Sequence, residues 1–538
     1  MPSHSTGPKP AKGAIAWLLL SIHLAAFRAA PWPYLEALWC RICGKRVRAR
    51  GKFAPLLEVS SKSYALWLLR EEAIGKVGGP PEAKPPIWAL IDVRADQAAL
   101  DATLCNMAAE GVRALVVGTE AIPTLAEAAR HIDWSEGPWL MPIMAGDMLA
   151  PGAASAYHAA LAGLDARIVY ADDDLLDAKG HRTAPHFKPD WNSELFRHFD
   201  YLTGACIVRA PREVLEDGAD ADDWAYRLVV QAADEGTPLH LRRVLHHRHA
   251  RRRPAVPTGI ALSPILPPVC IIVPTRNRVD LLRTCLSGIA ATDYPDLEVI
   301  VVDNDSDDPE TLAYLAALDP ARHRVLHHAG AFNYSAINNR AVAEARGRML
   351  CLLNNDVEMI GADWLAIMVT QALREDVGAV GAQLLYPDGR IQHAGVVTGV
   401  GRAAGHAHRF VRPEAEGYFR RHALPQFTSA VTAACLVVER DRFLAVGGLD
   451  ERNFAVAFND VDLCLRLNER GWQSLYEPRA RLIHHESVSR GLDRDPVGVR
   501  RFAGELAALK ARWGTDESVD PFHHPELSLY SERFVVGL

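Results

Sequence analysis

The second half of the chain alternates short apolar runs with amphipathic stretches. Apolar runs begin at Val269, Leu297 and Met349, and polar residues follow each of them. Short continuous apolar runs are typical of strands that are buried on both faces of a parallel sheet. Strands that alternate with helices predict a doubly wound α/β module with right-handed crossovers.

The same alternation occurs earlier, where PIWALIDV, VRALVVG and PWLMPIMAGD are predicted strands. The stretch between the two regions has five prolines and no amphipathic period, which indicates a linker. A helical pattern, FAGELAALKARWG, lies near the end of the chain, and we expect it and the tail after it to wrap the second module. We therefore divide the chain into an N-terminal segment (1–62), a first module (63–250), the linker (251–268), a second module (269–490) and a C-terminal helix with its tail (491–538).

The N-terminal segment combines an apolar run, 14–27, with many basic residues. The run is shorter than the roughly 18 residues that a membrane-spanning helix needs, although its composition also imitates a signal peptide. One interpretation is a helix that lies on an anionic inner membrane, with GKRVRAR as an electrostatic anchor. The other is a helix packed on the protein with a solvated basic face.

Composition narrows the class of protein. The net charge of -7 over 538 residues gives no sign of nucleic-acid binding. Seven of the nine cysteines lie in apolar or helical settings, which favours reduced, buried thiols in a cytoplasmic protein. For the CxxC of Cys40 and Cys43 we favour packing over a zinc or redox site.

Polar residues follow three of the predicted strands in the second module. They are Thr275, Arg276 and Asn277 after the first strand, Asp303 at the end of the second, and 354–356 (Asn-Asn-Asp) after the strand that begins at Met349. Carboxyl ends of parallel strands meet at one edge of a sheet, so these residues predict a nucleotide-sized crevice. Asp303 could accept from a base or ribose, and Asp356 could hold a hard divalent cation. Each carboxylate alone fits a capping turn equally well.

Two further groups lie downstream. Asp460 stands near the start of a predicted helix, where the helix dipole should keep it ionised, and alone it is an ordinary helix-start acid. His484 and His485 are predicted in a loop after an apolar triplet, as metal or phosphate ligands or as structural residues. The chain has no P-loop and no dinucleotide-binding fingerprint.

Seven segments in this order resemble family-two glycosyltransferases of the GT-A fold, and particularly bacterial enzymes that extend surface polysaccharides such as O-antigen. They are CIIVPTRNR, VIVVDNDS, FNYSAINNRAVAEARG, LLNNDVE, TAACLVVERDRFLAVGGLDE, NDVDLCLRL and HHESVSRG. The resemblance covers about 269–490. It implies an inverting, metal-dependent transfer from a nucleotide-activated sugar, with Mn²⁺ or Mg²⁺ as the cofactor.

The resemblance also implies residue roles. Asp460 matches the general base, supported by Asp462, and Asp356 with His484 matches the metal site, with His485 as the less favoured ligand. Because Asn354 replaces the first acid of the family's DXD motif, Asp356 is the one residue of 354–356 that is assigned to the metal. The implied donor-binding residues are Pro274, Thr275, Asn277, Asp303, Asn339, Asn354 and Asn355.

The first module repeats parts of the second. LTGACIVRA matches VTAACLVVER, and VLHHR matches LIHHE, which indicates a tandem duplication. In this register Asp147 corresponds to Asp356, whereas Ala221 stands opposite Asp460. The triplet 172–174 (Asp-Asp-Asp) falls outside the metal position and is predicted to be an exposed turn. We therefore expect a degenerate GT-A-like module that shapes the acceptor groove or a dimer.

Three alternatives remain open from the sequence. They are a transferase with both modules active, a non-catalytic scaffold that binds sugar nucleotides, and a nucleotidyltransferase. A nucleotidyltransferase needs a glycine-rich loop after its first strand, and the segment PTRNR at that position contains no glycine. The expected donor is a UDP- or dTDP-sugar and the expected acceptor is a growing lipid-linked glycan. The QxxRW signature of processive synthases is missing, which favours one or a few additions per encounter.

Overall fold

The computed structural model describes residues 12–57, 60, 62–74, 85–93, 99–161, 166–217, 222–485 and 496–538. The described residues before the first sheet form four helices: α1 (Lys12–Ala29), α2 (Pro31–Ile42), α3 (Arg46–Leu57) and α4 (Lys62–Ile74). Helices α2 and α3 share a small apolar centre that includes Cys40 and Phe53. Helix α4 joins this bundle to the rest of the chain, because Tyr64 donates a hydrogen bond to Asp174 (2.6 Å) and Trp67 donates one to Glu526 (2.6 Å). None of the helices among the described residues is both long and apolar enough to cross a membrane.

The first module is a mixed sheet with helices on its faces. Its elements are β1 (Ile87–Asp92), α5 (Leu100–Ala109), β2 (Arg113–Val117), α6 (Leu125–Arg130), β3 (Trp139–Met144), β4 (Met148–Leu149), α7 (Ala153–Leu161), β5 (Ile168–Leu176), β6 (Arg182–His186), α8 (Ser193–His198), β7 (Cys206–Val208), α9 (Arg212–Asp217), α10 (Trp224–Glu235) and β8 (Leu239–Arg248). The strand order is β2-β1-β3-β7-β5-β8-β4, with β6 paired to β5.

The second module has a larger sheet of the same kind. Its elements are β9 (Val269–Thr275), α11 (Val279–Ala290), β10 (Leu297–Asp303), α12 (Pro309–Ala316), β11 (His323–His327), α13 (Tyr334–Glu344), β12 (Met349–Leu353), β13 (Val357–Met359), α14 (Trp364–Ala372), β14 (Val377–Leu385), β15 (Ile391–His393), β16 (Val396–Thr398), β17 (Ala404–His406), β18 (Gln426–Thr428), β19 (Cys435–Glu439), α15 (Arg440–Ala445), α16 (Asn459–Glu469) and β20 (Gln473–His484). The main strand order is β11-β10-β9-β12-β19-β14-β20-β13.

The two sheets match strand by strand. The order β10-β9-β12-β19-β14-β20-β13 of the second has the same pattern as the complete order of the first. Strand β3 therefore corresponds to β12, and the residues after it, 145–147, correspond to 354–356. The predicted α/β fold with two modules in tandem is confirmed.

The prediction of an exposed turn at 172–174 was wrong. All three aspartates lie inside strand β5, and each is fully buried. Buried cations make this placement tolerable: Lys188 pairs with Asp173 at 2.8 Å, and Arg251 also binds Asp173. Burial alone would raise the pKa of Asp173, but Arg251, Lys188 and Arg248 hold it well below its ordinary range.

Asp172 is the centre of a clamp between the first module and the tail. Its carboxylate lies 3.0 Å from His240 Nε2 and 2.9 Å from His524 Nε2. These three side chains have the ligand types of a metal site, with ligand atoms within 4.8 Å of one another. However, the backbone N–H of Glu526 donates to His524 Nδ1, so the ring proton lies on Nε2 and faces Asp172. We therefore interpret the group as a structural clamp, in which His240 is hydrogen-bonded to Asp172 and the His524 ring packs against the same carboxylate.

The C-terminal region contacts both modules, whereas the sequence predicted contact with the second alone. Helix α17 (Pro496–Trp513) is followed by a tail without further helices or strands among the described residues. Asp520 accepts hydrogen bonds from the Thr398 backbone (2.6 Å) and from Ser429 (2.6 Å) in the second module. Pro521 accepts one from the Asp190 backbone in the first module (2.7 Å).

All nine cysteines are free thiols, and no disulfide links Cys40 to Cys43. Cys40 is buried in the centre of the N-terminal helices, as the packing interpretation expects, but Cys43 is exposed, so that interpretation was wrong for Cys43. Cys105 is exposed, so the prediction of burial was wrong for this residue.

Candidate active site

A cavity of about 690 Å³ opens at the carboxyl ends of β9 and β12. These strands are parallel neighbours, so the loops after them meet at the same edge of the sheet. Predicted site residues that line the cavity are Pro274, Thr275, Asn277, Asn354, Asn355, Asp356, Asp460 and His484. The sequence-predicted crevice is therefore present, and it also contains the downstream acid and histidine.

Asp356 and His484 face each other at one end of the cavity. His484 Nε2 lies 3.1 Å from Asp356 Oδ1 because β13 pairs antiparallel with β20 and sets Val357 opposite His484. The prediction of a loop at His484 was wrong, since this residue ends the long strand β20. Its position in the ladder fixes the ring beside Asp356.

Gln392 holds the other side of this imidazole. The side-chain oxygen of Gln392 lies 2.6 Å from His484 Nδ1. A proton on Nδ1 satisfies this contact, so Nε2 is the nitrogen that faces Asp356; it can donate to the carboxylate when the ring is protonated, or present a lone pair to a cation. Asp356 and His484 thus converge on one point of the cavity, where the two side chains could hold a cation.

The electrostatic environment keeps Asp356 ionised. Burial would raise the pKa of this carboxyl, but hydrogen bonding to His484 and the charges of His484 and His485 lower the pKa below its ordinary value. An ionised, largely buried carboxylate beside an imidazole is a suitable donor set for a divalent cation.

Asp460 lies at another part of the cavity wall, in the first turn of α16. Its two carboxylate oxygens accept hydrogen bonds from the backbone N–H groups of Ala433 (3.0 Å) and Val461 (2.8 Å). Burial nevertheless raises the pKa of Asp460 above its ordinary value, against the effect of these bonds and of Thr432. Burial thus outweighs the groups that favour the ionised form, and a raised pKa is typical of a general base.

The loop 432–434 ties the two ends of the cavity together. Ala433 donates to Asp460, and the next residue, Ala434, accepts from the backbone N–H of Asn354 (3.0 Å). Tyr334 donates its hydroxyl proton to the Ala433 carbonyl (2.9 Å), which supports the loop from α13.

The residue that caps α16, Phe458, has a φ of 62°, a strained conformation of the kind that concentrates at functional sites.

The wall nearest β9 is polar and pre-organised. Asn355 donates to the Thr275 hydroxyl at 3.0 Å, which links the exits of β12 and β9. Asn277 lines the cavity, but its side-chain oxygen accepts from the backbone of Asp307 and its amide donates to the Asp307 carboxylate (2.7 Å). Asn277 therefore shapes the loop that faces the cavity.

Two predicted donor contacts lie outside the lining of this cavity. Asp303 is buried at the end of β10, directly beside Thr275 in the ladder, and accepts from the Ser306 backbone. The amide of Asn339 binds the Leu449 backbone and the Glu451 carboxylate, both at 2.8 Å. Asn339 thus holds the loop before α16, and we do not retain it as a donor contact in the proposal below.

The two supporting residues also have defined places. His485 contacts Glu358 at 3.3 Å, and its backbone N–H donates to the Asp356 carbonyl. Asp462 is fully buried and accepts from Arg466, Arg512 and Trp513, so it fastens α17 to α16. Both residues support the frame of the site.

The sequence did not reveal several lining residues. Gln392, Thr432, Tyr334 and His406 all face the cavity. No motif marks Gln392, because its partner His484 comes from a different strand far along the chain. Thr432 lies in a segment that the repeat did mark, but its contact to Asp460 depends on tertiary structure.

The corresponding region of the first module is filled by its own side chains. Asp147 accepts from the His249 and Met144 backbones through both carboxylate oxygens. A Cβ at Gly204, the counterpart of Ala433, would lie 2.4 Å from the guanidinium of Arg248. Arg248 therefore lies against the first module's counterpart of the loop 432–434. Ala221, the counterpart of Asp460, falls outside the described residues.

Comparison with known families identifies the class of domain that contains most of this cavity. Residues 270–434 match the model of Glycosyl transferase family 2. The chain therefore carries a family-two glycosyltransferase domain, and the predicted resemblance is confirmed. Asp460 and His484 lie beyond the matched range, so their roles depend on the geometry described above.

The chain is also similar to curated proteins. It is 39% identical over 486 residues to the uncharacterized protein y4gI of Sinorhizobium fredii. That alignment covers 81% of this chain and 53% of y4gI. It is 38% identical over 432 residues to the O-antigen biosynthesis protein RfbC of Myxococcus xanthus. That alignment covers 71% of this chain and 33% of RfbC. The chain thus spans about half of the first relative and a third of the second.

The chain covers a larger share of a third relative. The N-acetylglucosaminyl-diphospho-decaprenol L-rhamnosyltransferase of Mycobacterium tuberculosis is 27% identical over 255 residues, covering 44% of this chain and 80% of that enzyme. Among solved structures, the mannosyltransferase PcManGT of Pyrobaculum calidifontis, in complex with GDP-Man and Mn²⁺, aligns with a TM-score of 0.36 and 21% identity over 50% of this chain and 70% of that one. That likeness is too distant to carry an argument about function.

Proposed function

We propose that the second module transfers a sugar, with inversion, from a nucleotide-sugar donor to a hydroxyl group of a growing surface glycan. The observation that carries the proposal is the single cavity in which Asp356, His484 and Asp460 converge with the polar exits of β9 and β12. This cavity is of the size that binds nucleotide-like ligands. The family-two domain supplies the reaction class.

Asp460 is proposed as the general base. In a single displacement, the acceptor O–H proton passes to the Asp460 carboxylate while the acceptor oxygen bonds to the anomeric carbon. The bond from that carbon to the donor diphosphate breaks, and its electron pair leaves with the nucleotide. Inversion follows because attack and departure occur on opposite faces of the sugar.

Asp356 and His484 are proposed to hold a divalent cation, Mn²⁺ or Mg²⁺. Their fit rests on the ionised buried carboxylate, the 3.1 Å approach of the imidazole and the tautomer that Gln392 fixes. A cation bound there would supply positive charge that offsets the charge of the departing diphosphate. Thr275 and Asn355 are proposed to orient the nucleotide from the opposite wall, together with Pro274, Asn277 and Asn354, and with Asp303 directly behind them.

The first module is proposed to be a degenerate partner. Asp147 has both oxygens engaged by backbone N–H groups, and Arg248 lies against Gly204. The module would then shape the acceptor groove or a dimer. A transferase with both modules active is the alternative, and these contacts disfavour it.

The donor and acceptor are proposed by class. A UDP- or dTDP-sugar is the expected donor. A lipid-linked glycan is the expected acceptor, by analogy with the relatives named for O-antigen synthesis and for transfer to a diphospho-decaprenol. The reaction would take place at the inner face of the membrane that carries such lipids.

The first test is release of nucleoside diphosphate from a panel of UDP-, dTDP- and GDP-sugars. With Mn²⁺ or Mg²⁺ and a lipid-linked acceptor, we expect one donor to release its diphosphate in a cation-dependent manner, with the acceptor gaining the mass of one sugar. Chelation with EDTA should stop the reaction, and added cation should restore it. No release from any donor would contradict the enzyme assignment and favour a binding scaffold.

Replacing Gln392 tests the ligand role of His484. Gln392→Leu removes the acceptor on His484 Nδ1, so the concentration of cation needed for half-maximal rate should rise by about ten- to a hundredfold. The rate at saturating cation should change much less. Gln392→Glu keeps an acceptor oxygen and is the matched control, which should restore cation affinity. An unchanged cation dependence in Gln392→Leu would remove His484 from the proposed ligand set.

A further inference from the structure

Exposed apolar side chains are concentrated in the first two helices. Of the 22 large hydrophobic residues that are exposed in the described chain, nine lie within 17–42. They are Trp17, Leu20, Leu24, Phe27, Trp32, Leu35, Leu38, Trp39 and Ile42. The density of exposed apolar side chains in these two helices is far above the average for the rest of the described chain. Such a concentration indicates an interaction surface.

These residues form one stripe on each helix. On α1 the positions 17, 20, 24 and 27 are spaced by three, four and three residues, and on α2 the positions 32, 35, 39 and 42 repeat this spacing. Such spacing places all members of a set on one helical face. The opposite faces are already used, since Ile22 and Ala26 on α1 and Ala37 and Cys40 on α2 are buried.

Basic residues surround this surface. Residues 12–57 contain eight lysines and arginines but a single acid, Glu36, which pairs with Lys52 at 2.8 Å. Arg41, Lys45, Arg46 and Arg48 are exposed at the end of α2 and the start of α3. Three of the exposed apolar residues are tryptophans, which favour the boundary between lipid and water.

We propose that the outward stripes of α1 and α2 dock this protein on an anionic lipid bilayer, with both helices lying in the plane of the interface. Charge complementarity selects this occupant: anionic headgroups attract the surrounding lysines and arginines, whereas a second copy of the same surface would bring two basic sets together. The helices do not cross the bilayer, because none in the described chain is long and apolar enough to do so. Amphipathic helices with a basic border bind membranes in this manner.

Docking would position the transferase as well as the helices. Helix α4 links the bundle to the first module through Tyr64 and Asp174 and to the tail through Trp67 and Glu526. Arg50 of α3 also donates to Tyr530 of the tail (3.1 Å). A lipid-linked acceptor in the same bilayer would then be held near the protein. The docking itself is independent of the transferase proposal and is tested without a donor.

The experiment is co-sedimentation of the full chain with vesicles. One set contains phosphatidylcholine mixed with phosphatidylglycerol, and the other contains phosphatidylcholine alone. We expect binding to the anionic vesicles that falls as salt is raised, and at least about tenfold weaker binding to the neutral ones. Trp32→Glu with Trp39→Glu should reduce binding to anionic vesicles by about tenfold or more, because both side chains are exposed and their loss leaves the helix core intact.

The matched control replaces two exposed apolar residues elsewhere, Ile265→Glu with Leu312→Glu, and should bind as the unmodified chain does. A third variant, with Arg41, Lys45, Arg46 and Arg48 changed to Gln, should lose most of the salt dependence. Equal binding by the Trp32 and Trp39 variant and by the control would overturn the proposal. So would a soluble dimer that this variant converts to a monomer without any vesicle binding, since the stripes would then be a contact between copies.

Discussion

Asp460→Asn is expected to abolish measurable transfer while donor binding remains. The substitution keeps the size of the side chain but removes the carboxylate that takes the acceptor proton, and general-base catalysis typically contributes about a hundred- to ten-thousandfold in rate. Donor affinity should change by less than about threefold, because Asp356, Thr275 and Asn355 are untouched. The measurement pairs initial transfer rates with calorimetric titration of the intact donor.

Asp441→Asn is the matched control, since Asp441 is also an acid in the first turn of a helix but is exposed and lies outside the cavity lining. It should retain full activity. Transfer by Asp460→Asn at the rate of the unmodified chain would show that another group removes the proton.

The pH dependence follows from the same side chain. Burial raises the pKa of Asp460 above its ordinary carboxyl value, so the protonated, inactive form persists to higher pH than for an exposed aspartate. The rate at saturating substrate should rise as pH increases through this raised pKa. An exposed carboxyl would give a corresponding rise closer to pH 3.8.

The fold was predictable because its signals are local. The buried runs that became β9, β10 and β12 are visible as short apolar segments, and their polar exits directly follow them in the chain. Parallel pairing of β9 with β12 then brings Thr275 and Asn355 into contact without any further information. The internal repeat supplied the tandem arrangement, which the matching strand orders confirm.

The errors arose where distant residues decide the outcome. The triplet 172–174 was predicted to be an exposed turn because it falls outside the metal position of the repeat, but Lys188 and Arg251 come from other parts of the chain to neutralise it, and His524 of the tail covers it. The long strand β20 reaches His484 because β13 is available to pair with its last residues. Neither partner is encoded in the neighbouring sequence.

The raised pKa of Asp460 also depends on residues that are distant from it in the sequence. Its place at a helix start predicted an ionised acid, which is what an isolated helix would give. In the folded chain the loop 432–434 and the residues around it cover the carboxyl, and burial outweighs two backbone hydrogen bonds. The feature that makes Asp460 suited to proton transfer therefore comes from tertiary packing.

The duplication provides an internal comparison for the metal site. Asp356→Asn is expected to raise the cation concentration needed for activity by at least about a hundredfold and to reduce transfer to background, because the remaining ligand, His484, carries no negative charge. Asp147→Asn changes the equivalent residue of the first module, where both carboxylate oxygens already accept backbone N–H groups. It should leave cation dependence and the number of linkages formed unchanged.

Because Asp147 is buried, rates are to be compared per folded molecule, using thermal melts of both variants. Loss of one linkage type in Asp147→Asn, with the other retained, would mean that both modules transfer sugars. Full activity in Asp356→Asn would mean that the cation binds elsewhere or is dispensable. Either result would contradict the assignment of Asp356 as a ligand of the cation.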